Sequence, residues 1–332
     1  MKYLITGHTG FKGSWLAAML KMQGNQVYGV SLNPVKYSHY ELANIKKFLN
    51  RDIRLDIRNG KSLIRIFRKI QPDVILHLAA QPLVRESYKN PLYTFETNVI
   101  GTMNVLNASS KTDNLKATLV VTSDKVYKNR EDKTPFIETD PLGGEDPYSS
   151  SKAAADLATQ AWRSSYGTSP IAIARAGNVI GGGDFATDRI IPDIVRAIKQ
   201  NKNLVLRNPN SLRPWQHVLD CLNGYQKLLD MEIENKIESE WNFGPDNLIQ
   251  HTVYDLVNSF QKSYGKDLNI KVEPNNKKES AYLALNSNRS RSELKWKEKL
   301  SFYESIKWTA DWYKNPNPIE ATENQIIEFM NL

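Results

Sequence analysis

The chain has 332 residues, about two domains' worth, with 40% hydrophobic and 24% charged residues and only 17 Gly and 15 Pro, which excludes a disordered, collagen-like or coiled-coil protein. Its 44 Lys and Arg against 36 Asp and Glu give a formal charge of +8, yet the basic residues are dispersed and lack the dense tract of a nucleic-acid groove. No run approaches the roughly 18 apolar residues of a membrane span. The start meets Gly7 too soon for a signal peptide, and the one cysteine, Cys221, excludes an internal disulfide framework and a cysteine-based metal site, so a cytoplasmic protein with no membrane or nucleic-acid partner is expected.

Short β-rich runs alternate with amphipathic stretches through the first half, the pattern of a doubly wound α/β fold with helices on both faces of a parallel sheet. Residues 3–5 predict the first strand and residues 14–23 a helix, in which Trp15, Leu16, Met19, Leu20 and Met22 recur at near-helical spacing. Strands follow at 26–30, 53–55 and 73–78, with a helix over 63–70 between the last two. After a helix at 99–108, the β-branched run 118–122 ends at polar Ser123-Asp124, on the edge where open parallel sheets carry functional groups. A helix over 151–166 and a buried strand over 171–174 complete this half.

Beyond about residue 176 the rhythm loosens at Gly181-Gly182-Gly183, Asn208-Pro209-Asn210 and Asn275-Asn276, which marks a smaller, mixed α/β region. The expected division assigns residues 1–175, with a returning segment near 214–250, to the sheet unit, and 176–213 with 251–320 to the second unit. Trp296, Trp308 and Trp312 read as core packing of that second unit, and the tail after Pro316 as a frayed end.

Gly7-His8-Thr9-Gly10-Phe11-Lys12-Gly13 follows the first strand and opens a helix. Glycine lets the backbone turn sharply and approach a pyrophosphate, whose charge is met by the free N–H groups of the helix start. A glycine trio alone is a weak signal that plain turns also produce. Its place at the first strand-to-helix turn makes dinucleotide binding the stronger reading. The acid that grips a ribose at the end of strand two is absent, since that position reads Ser31-Leu32-Asn33, and no Arg stands there for a 2′-phosphate, which favours NAD over NADP. Asp56-Ile57 after the third strand is a candidate for the adenine, or a solvated turn.

Tyr148 and Lys152 stand four apart on one helix face. A cation beside a phenol lowers its pKa and lets it exchange a proton with a carbinol oxygen. Isolated Tyr-x-x-x-Lys pairs are mostly exposed helix starts, but with the glycine turn upstream the pair matches the short-chain dehydrogenase/reductases.

The resemblance then becomes specific. GHTGFKGSWL (7–16), HLAAQPLVRESYKNPLYTFETNVIGTMNVL (77–106), TSDKVYKNRE (122–131), DPLGGEDPYSSSK (140–152), RAGNVIGGGDFATDRIIPDIVRA (175–197) and RPWQHVLD (213–220) resemble the extended short-chain dehydrogenase/reductases that act on sugar nucleotides. The likeness runs from residue 1 to about 315 and is greatest to their 4,6-dehydratase branch, with CDP-glucose as the implied substrate. It implies a Rossmann-type NAD domain and a smaller domain for the nucleotide sugar. Ser123, Asp124 and Lys125 stand where those dehydratases carry Thr-Asp-Glu, whereas 4-epimerases of the family have small residues in the last two places. Loss of water across C5 and C6 needs a base and an acid, and epimerisation needs neither.

By the same resemblance, NAD is held by Gly7, Thr9, Gly10, Phe11, Lys12, Gly13, Ser31, Asp56, Ile57, Leu78, Ala79, Ala80, Asn98, Tyr148 and Lys152. Tyr148 is the base for C4 oxidation, Ser123 holds the 4-oxygen, Lys125 takes the C5 proton and Asp124 is the acid. A lysine base must be neutral, which calls for burial and nearby cations such as Lys152. Asn178, Arg189 and Arg213 are placed on the nucleotide diphosphate, and His217 is either structural or on the phosphate side. Neither His8 nor His77 has metal-ligand spacing, so no metal is expected. The stretch between Lys128 and Asp140 is shorter than in the family, and Lys128 to Thr134 is strongly charged, which sets the mouth over the sugar apart. The implied assembly is a homodimer or a dimer of dimers, paired through the helices at 99–108 and 151–166. An epimerase or reductase on the same scaffold, and a non-catalytic dinucleotide-binding protein, remain the alternatives.

Overall fold

A computed structural model describes the chain except for residues 131, 133, 168, 236–238, 247–250 and 274–282, so the expected loop at Asn275-Asn276 lies outside the described residues. Seven strands pair in parallel: β1 (Lys2–Thr6), β2 (Gln26–Ser31), β3 (Arg51–Arg54), β4 (Val74–His77), β5 (Ala117–Val121), β6 (Ile171–Ala176) and β7 (Glu240–Phe243). Their order across the sheet is β7-β6-β5-β4-β1-β2-β3. The order reverses between β1 and β4, and it is outside such a switch point that open α/β sheets bind ligands. Val74–His77, Ala117–Val121 and Ile171–Ala176 are buried at every position, as strands covered on both faces must be.

Helices α1 (Phe11–Met22), α2 (Gly60–Ile70), α3 (Gly101–Ser109), α4 (Pro147–Tyr166) and α5 (Val218–Asn235) cover those faces. Four begin earlier than hydrophobic periodicity alone indicates, α1 and α2 by three residues, and α3 and α4 for reasons of local sequence. Pro91–Phe95 and a π turn over Glu96–Ile100 lead without a break into α3, so the helix expected from residue 99 starts at Pro91. Asp146 caps α4 by accepting from the Ser149 N–H at 3.0 Å with Pro147 in the first position, and this places Tyr148 in the first turn. Beneath α4, Arg175 of β6 makes a two-pronged ion pair with Asp156, at 2.9 and 2.8 Å, with both side chains essentially inaccessible.

After residue 217 the chain returns to the sheet, with α5 packed on β5 and β6 and β7 paired to β6. The second region adds two short parallel pairs, Leu204–Leu206 with Ile270–Val272 and Val179–Ile180 with Gln216–His217, and helices Ile190–Gln200, Val253–Tyr264 and Phe302–Lys314. Its tryptophans do not form a core of their own. Trp296 meets Phe243 of β7 edge to face at 5.3 Å, and Trp312 lies so close to Gly182 that a Cβ there would stand 2.0 Å from the ring. Trp15, Trp241, Trp296 and Trp312 belong to one hydrophobic cluster spanning both regions.

The tail is not frayed. Pro318–Asn331 is a helix that buries Ala321, Ile326 and Phe329, and the Thr322 hydroxyl bonds His39 and Trp312, each at 3.0 Å. Helical spacing of these apolar residues and the Asn317 cap outweigh the terminal position. Among the described residues no helix is long and apolar enough to cross a membrane.

Candidate active site

At the switch point, the turn from β1 into α1 closes against the end of β4. Gly7 has φ of +82°, and a Cβ there would come within 2.6 Å of the Ala79 nitrogen; one on Gly13 would stand 2.2 Å from the Gly7 carbonyl. Only glycine fits either place. The turn is pinned by Gly7 N–H to Val30 O at 2.8 Å and Gly10 N–H to Gly7 O at 3.0 Å, while the first N–H groups of α1 have no partner within the helix. No acidic residue stands in that first turn, and Lys12 does. This cradle fits the diphosphate of a dinucleotide. Thr9 and Ser31 share a hydrogen bond of 2.6 Å at the end of β2, and Asp56 borders a surface cleft with Arg58, Asn59, Gly60, Lys61 and Glu96. Ile57 is buried beneath Gly101, which leaves only its backbone to meet a ligand.

Across the switch point, two residues beyond the end of β5, the Ser123 hydroxyl donates to Asp124 at 2.9 Å and accepts from the Lys125 N–H at 3.2 Å. The Tyr148 phenol lies beside Ser123. Asp124 is buried against Gly177, where a Cβ would overlap its carboxylate at 1.9 Å, and the Asn178 amide reaches it at 3.4 Å. Leu78, Ala79 and Ala80 extend β4 beside this turn. Asn98, in the π turn, accepts from the Gln81 N–H at 2.8 Å and donates to Ser151 at 2.8 Å, which locks the chain after β4 onto α4.

Burial pushes the Tyr148 phenol up from 10.0; the Ser123 hydrogen bond pulls it down, the Asp124 charge raises it further, and the Arg189 guanidinium lowers it. This revises the expectation from spacing. The ammonium of Lys152 points into the sheet and donates to the Val121 carbonyl at 2.9 Å, and the cation set against the phenol is Arg189. Burial lowers Lys152 itself to about 8, against the pull of Asp156 one turn on.

The model of the GDP-mannose 4,6 dehydratase family matches residues 4–309. This chain belongs to that family. A CDP-glucose 4,6-dehydratase of Salmonella typhimurium strain LT2 is 37% identical, over 99% of this chain and 96% of its own. A dTDP-glucose 4,6-dehydratase of Escherichia coli strain K12 is 27% identical over 94% and 92%. Among solved structures, a dTDP-glucose 4,6-dehydratase of Streptomyces venezuelae with NAD bound superimposes with a TM-score of 0.83 at 25% identity, over 95% of this chain and 97% of that one. A UDP-glucose 4-epimerase of Thermus thermophilus in complex with NAD does so equally well, at 0.83 and 22% identity over 95% and 100%, a likeness of fold.

Within this family member the expected site residues separate into groups. Ser123, Asp124, Tyr148, Asn178 and Arg189 converge, and Arg189 is tied by Asp184 at 2.9 Å. Lys125 is exposed, contrary to the burial expected of it, because the turn at Asp124–Val126 directs the buried faces of Asp124 and Val126 inward and leaves Lys125 outside. Arg213 lies on the connection before Gln216–His217, its N–H bonded to His251 O at 3.3 Å. His217 is the structural residue of the two readings, not the phosphate-side one. It has no exposure, its ring packs edge-on to Trp15 and Trp308, and burial holds it neutral, near a pKa of about 3. On either side of the charged stretch, parts of which lie outside the described residues, Tyr127 is bridged to Leu142 and Arg130 pairs with Asp140 at 2.7 Å. Two further residues shape the site without a sequence signal of their own: Gly177, within Arg175-Ala176-Gly177-Asn178, and Ser151, between Tyr148 and Lys152.

Because Lys152 titrates near 8 when folded and at 10.5 when unfolded, the unfolded chain binds the extra proton between those values, so stability contributed through this group rises with pH across that window. Urea unfolding without added dinucleotide is expected to show wild type gaining stability over Lys152→Met as pH climbs above about 8. A difference that is flat with pH would contradict the buried ammonium.

Proposed function

We propose that this chain dehydrates a nucleotide-linked glucose, CDP-glucose, to its 4-keto-6-deoxy product with NAD as a cofactor regenerated in each cycle. One juxtaposition carries the reading: the Ser123 hydroxyl after β5 and the Tyr148 phenol of α4, suited to oxidation at C4, meet the buried Asp124 carboxylate, and Lys125 follows it in the same turn, a carboxylate and an amine that only the elimination requires. The greater identity to the CDP-glucose enzyme than to the dTDP-glucose enzyme favours cytidine as the base. Epimerase neighbours share the scaffold, and Asp124-Lys125 is what sets this chain apart from that alternative.

The residues that fit NAD are Gly7, Thr9, Gly10, Phe11, Lys12 and Gly13 around the diphosphate, Ser31 at the ribose, Asp56 and the Ile57 backbone at the adenine, and Leu78, Ala79, Ala80, Asn98, Tyr148 and Lys152 toward the nicotinamide. NAD held there would supply a hydride acceptor for C4 and a hydride donor for C6, so no reductant would be consumed overall. Tyr148 accepts the C4 hydroxyl proton while Ser123 hydrogen-bonds the 4-oxygen. The ketone so formed acidifies C5, whose proton Lys125 removes as a neutral amine. Asp124 protonates the departing 6-hydroxyl, and water leaves. Because Lys125 is exposed in the open chain, the sugar itself supplies its burial on binding. Asn178, Arg189 and Arg213 hold the nucleotide sugar between the sheet unit and the region of residues 176–213 and 251–320, guanidinium forks being suited to phosphate. A cytoplasmic location fits the free, buried Cys221.

Tyr148→Phe removes the phenol and is expected to slow C4 oxidation by about 10² or more. Lys125→Ala keeps that oxidation and loses C5 deprotonation, so with CDP-glucose it should accumulate enzyme-bound reduced nicotinamide absorbance and exchange solvent deuterium into C5 slowly. Wild-type turnover in Lys125→Ala would refute its role.

The same reading includes a homodimer. The helix from Pro91 through α3 lies beside α4, and together they expose Leu92 at 78%, Ile100 at 53% and Leu157 at 52%, an apolar stripe that a second copy would cover in a four-helix interface. Sedimentation at micromolar concentration should give a dimer or a dimer of dimers, and Leu92→Asp combined with Leu157→Asp a 37.9 kDa monomer. A monomeric wild type would contradict this face.

A further inference from the structure

A second set of titratable side chains lies at the carboxyl ends of β2 and β3, away from Ser123 and Tyr148. The parallel register sets Arg54 beside Ser31, so β3 brings a guanidinium to the end of β2, where chain order alone shows only Ser31-Leu32-Asn33. This overturns the expectation that no Arg stands there. One arm of Arg54 donates to the Leu32 carbonyl at 3.4 Å and lies 3.2 Å from His8 Nε2; the other donates to Asp52 at 2.7 Å and to the Tyr40 hydroxyl at 3.1 Å.

Asp52 is the hub. It receives the Tyr40 hydroxyl at 2.6 Å and lies 2.7 Å from His8 Nε2, with 13% of its side chain exposed against 32% for Arg54. His8 is buried against Gly29 of β2, where a Cβ would stand 2.4 Å from its ring, and the next residue, Thr9, bonds both Ser31 and the Leu32 carbonyl. The cluster therefore ties the glycine turn to the ends of β2 and β3, on the spot where a dinucleotide fold holds the adenosine ribose.

We propose that Arg54 is the residue facing the adenosine ribose and that Asp52, by neutralising it, sets the preference for a ribose without a 2′-phosphate. An unpaired guanidinium at this place would take a phosphate dianion in its planar fork. Paired with Asp52 it has no net charge to offer, and the carboxylate behind it repels the added phosphate. Selectivity for NAD thus comes from a compensated cation on β3 in place of an acid on β2. The inference rests on the cofactor reading above.

Calorimetric titration with NAD and with NADP, on wild type and two single variants, tests it. Asp52→Asn leaves Arg54 uncompensated and should lower the ratio of the NADP to the NAD dissociation constant by about tenfold or more; Arg54→Met leaves Asp52 uncompensated and should raise that ratio by a similar factor. Far-UV circular dichroism and thermal unfolding check that each variant folds, and since Arg54 is partly exposed, its variant decides the matter if Asp52→Asn does not fold. An unchanged ratio in a folded variant, or shifts in the same direction, would overturn the assignment to Arg54 and Asp52 while leaving NAD as cofactor. A wild type that binds neither dinucleotide would overturn both.

Discussion

The close approach of one backbone to another at the switch point governs the rest of the molecule. Gly7 and Gly13 carry no Cβ because the Ala79 backbone and the Gly7 carbonyl occupy that space. With the turn held there, α1 starts at Phe11 and leaves its first N–H groups open beside the ends of β4 and β5. The same helix then reaches into the second region: the Trp15 indole donates to the Gly182 carbonyl at 2.9 Å and stacks on His39 at 4.5 Å. One element thus presents the cofactor cradle and fixes the part of the chain that faces it.

Behind the reacting groups, a buried ionic network holds the turn at Ser123–Lys125 from both sides. Asp156 accepts from Thr122, the residue before Ser123, at 3.0 Å, while Arg175 donates to the hydroxyl of Tyr127, two residues after Lys125, at 3.0 Å. Tyr127 in turn donates to Asn242 of β7 at 2.7 Å. Loss of one partner from such a buried pair costs about 3–5 kcal/mol, because the other charge is left without compensation. Two residues beyond Arg175 the chain must be glycine to clear the Asp124 carboxylate, so β6 and the residue after it both brace the network and shape the space around that carboxylate.

Much of this was legible in the sequence because it is local. The glycine turn, the alternation of strands and helices, and Tyr148 with Lys152 on one helix are each written within a dozen residues. What spacing does not carry is where a side chain points once neighbouring strands are in place. Lys152 shares a helix face with Tyr148, yet its ammonium is drawn to the Val121 carbonyl of β5. Arg54 is invisible at the end of β2 because the parallel register, and not the chain, delivers it. His217 reads as a phosphate neighbour of Arg213 until the packing of Trp15 and Trp308 encloses it. The tail after Pro316 reads as a frayed end from its position alone, whereas its apolar spacing and Asn317 cap define a helix.

The proposed cycle oxidises C4 and reduces C6 of one sugar in one site, with elimination between the two. CDP-glucose carrying deuterium at C4, turned over by wild type in a mixture with unlabelled substrate of distinguishable mass, tests it directly. The label should appear at C6 of the 4-keto-6-deoxy product and stay within the molecule that brought it. Deuterium lost to solvent, passed to the unlabelled partner, or kept at C4 of an inverted sugar would contradict it.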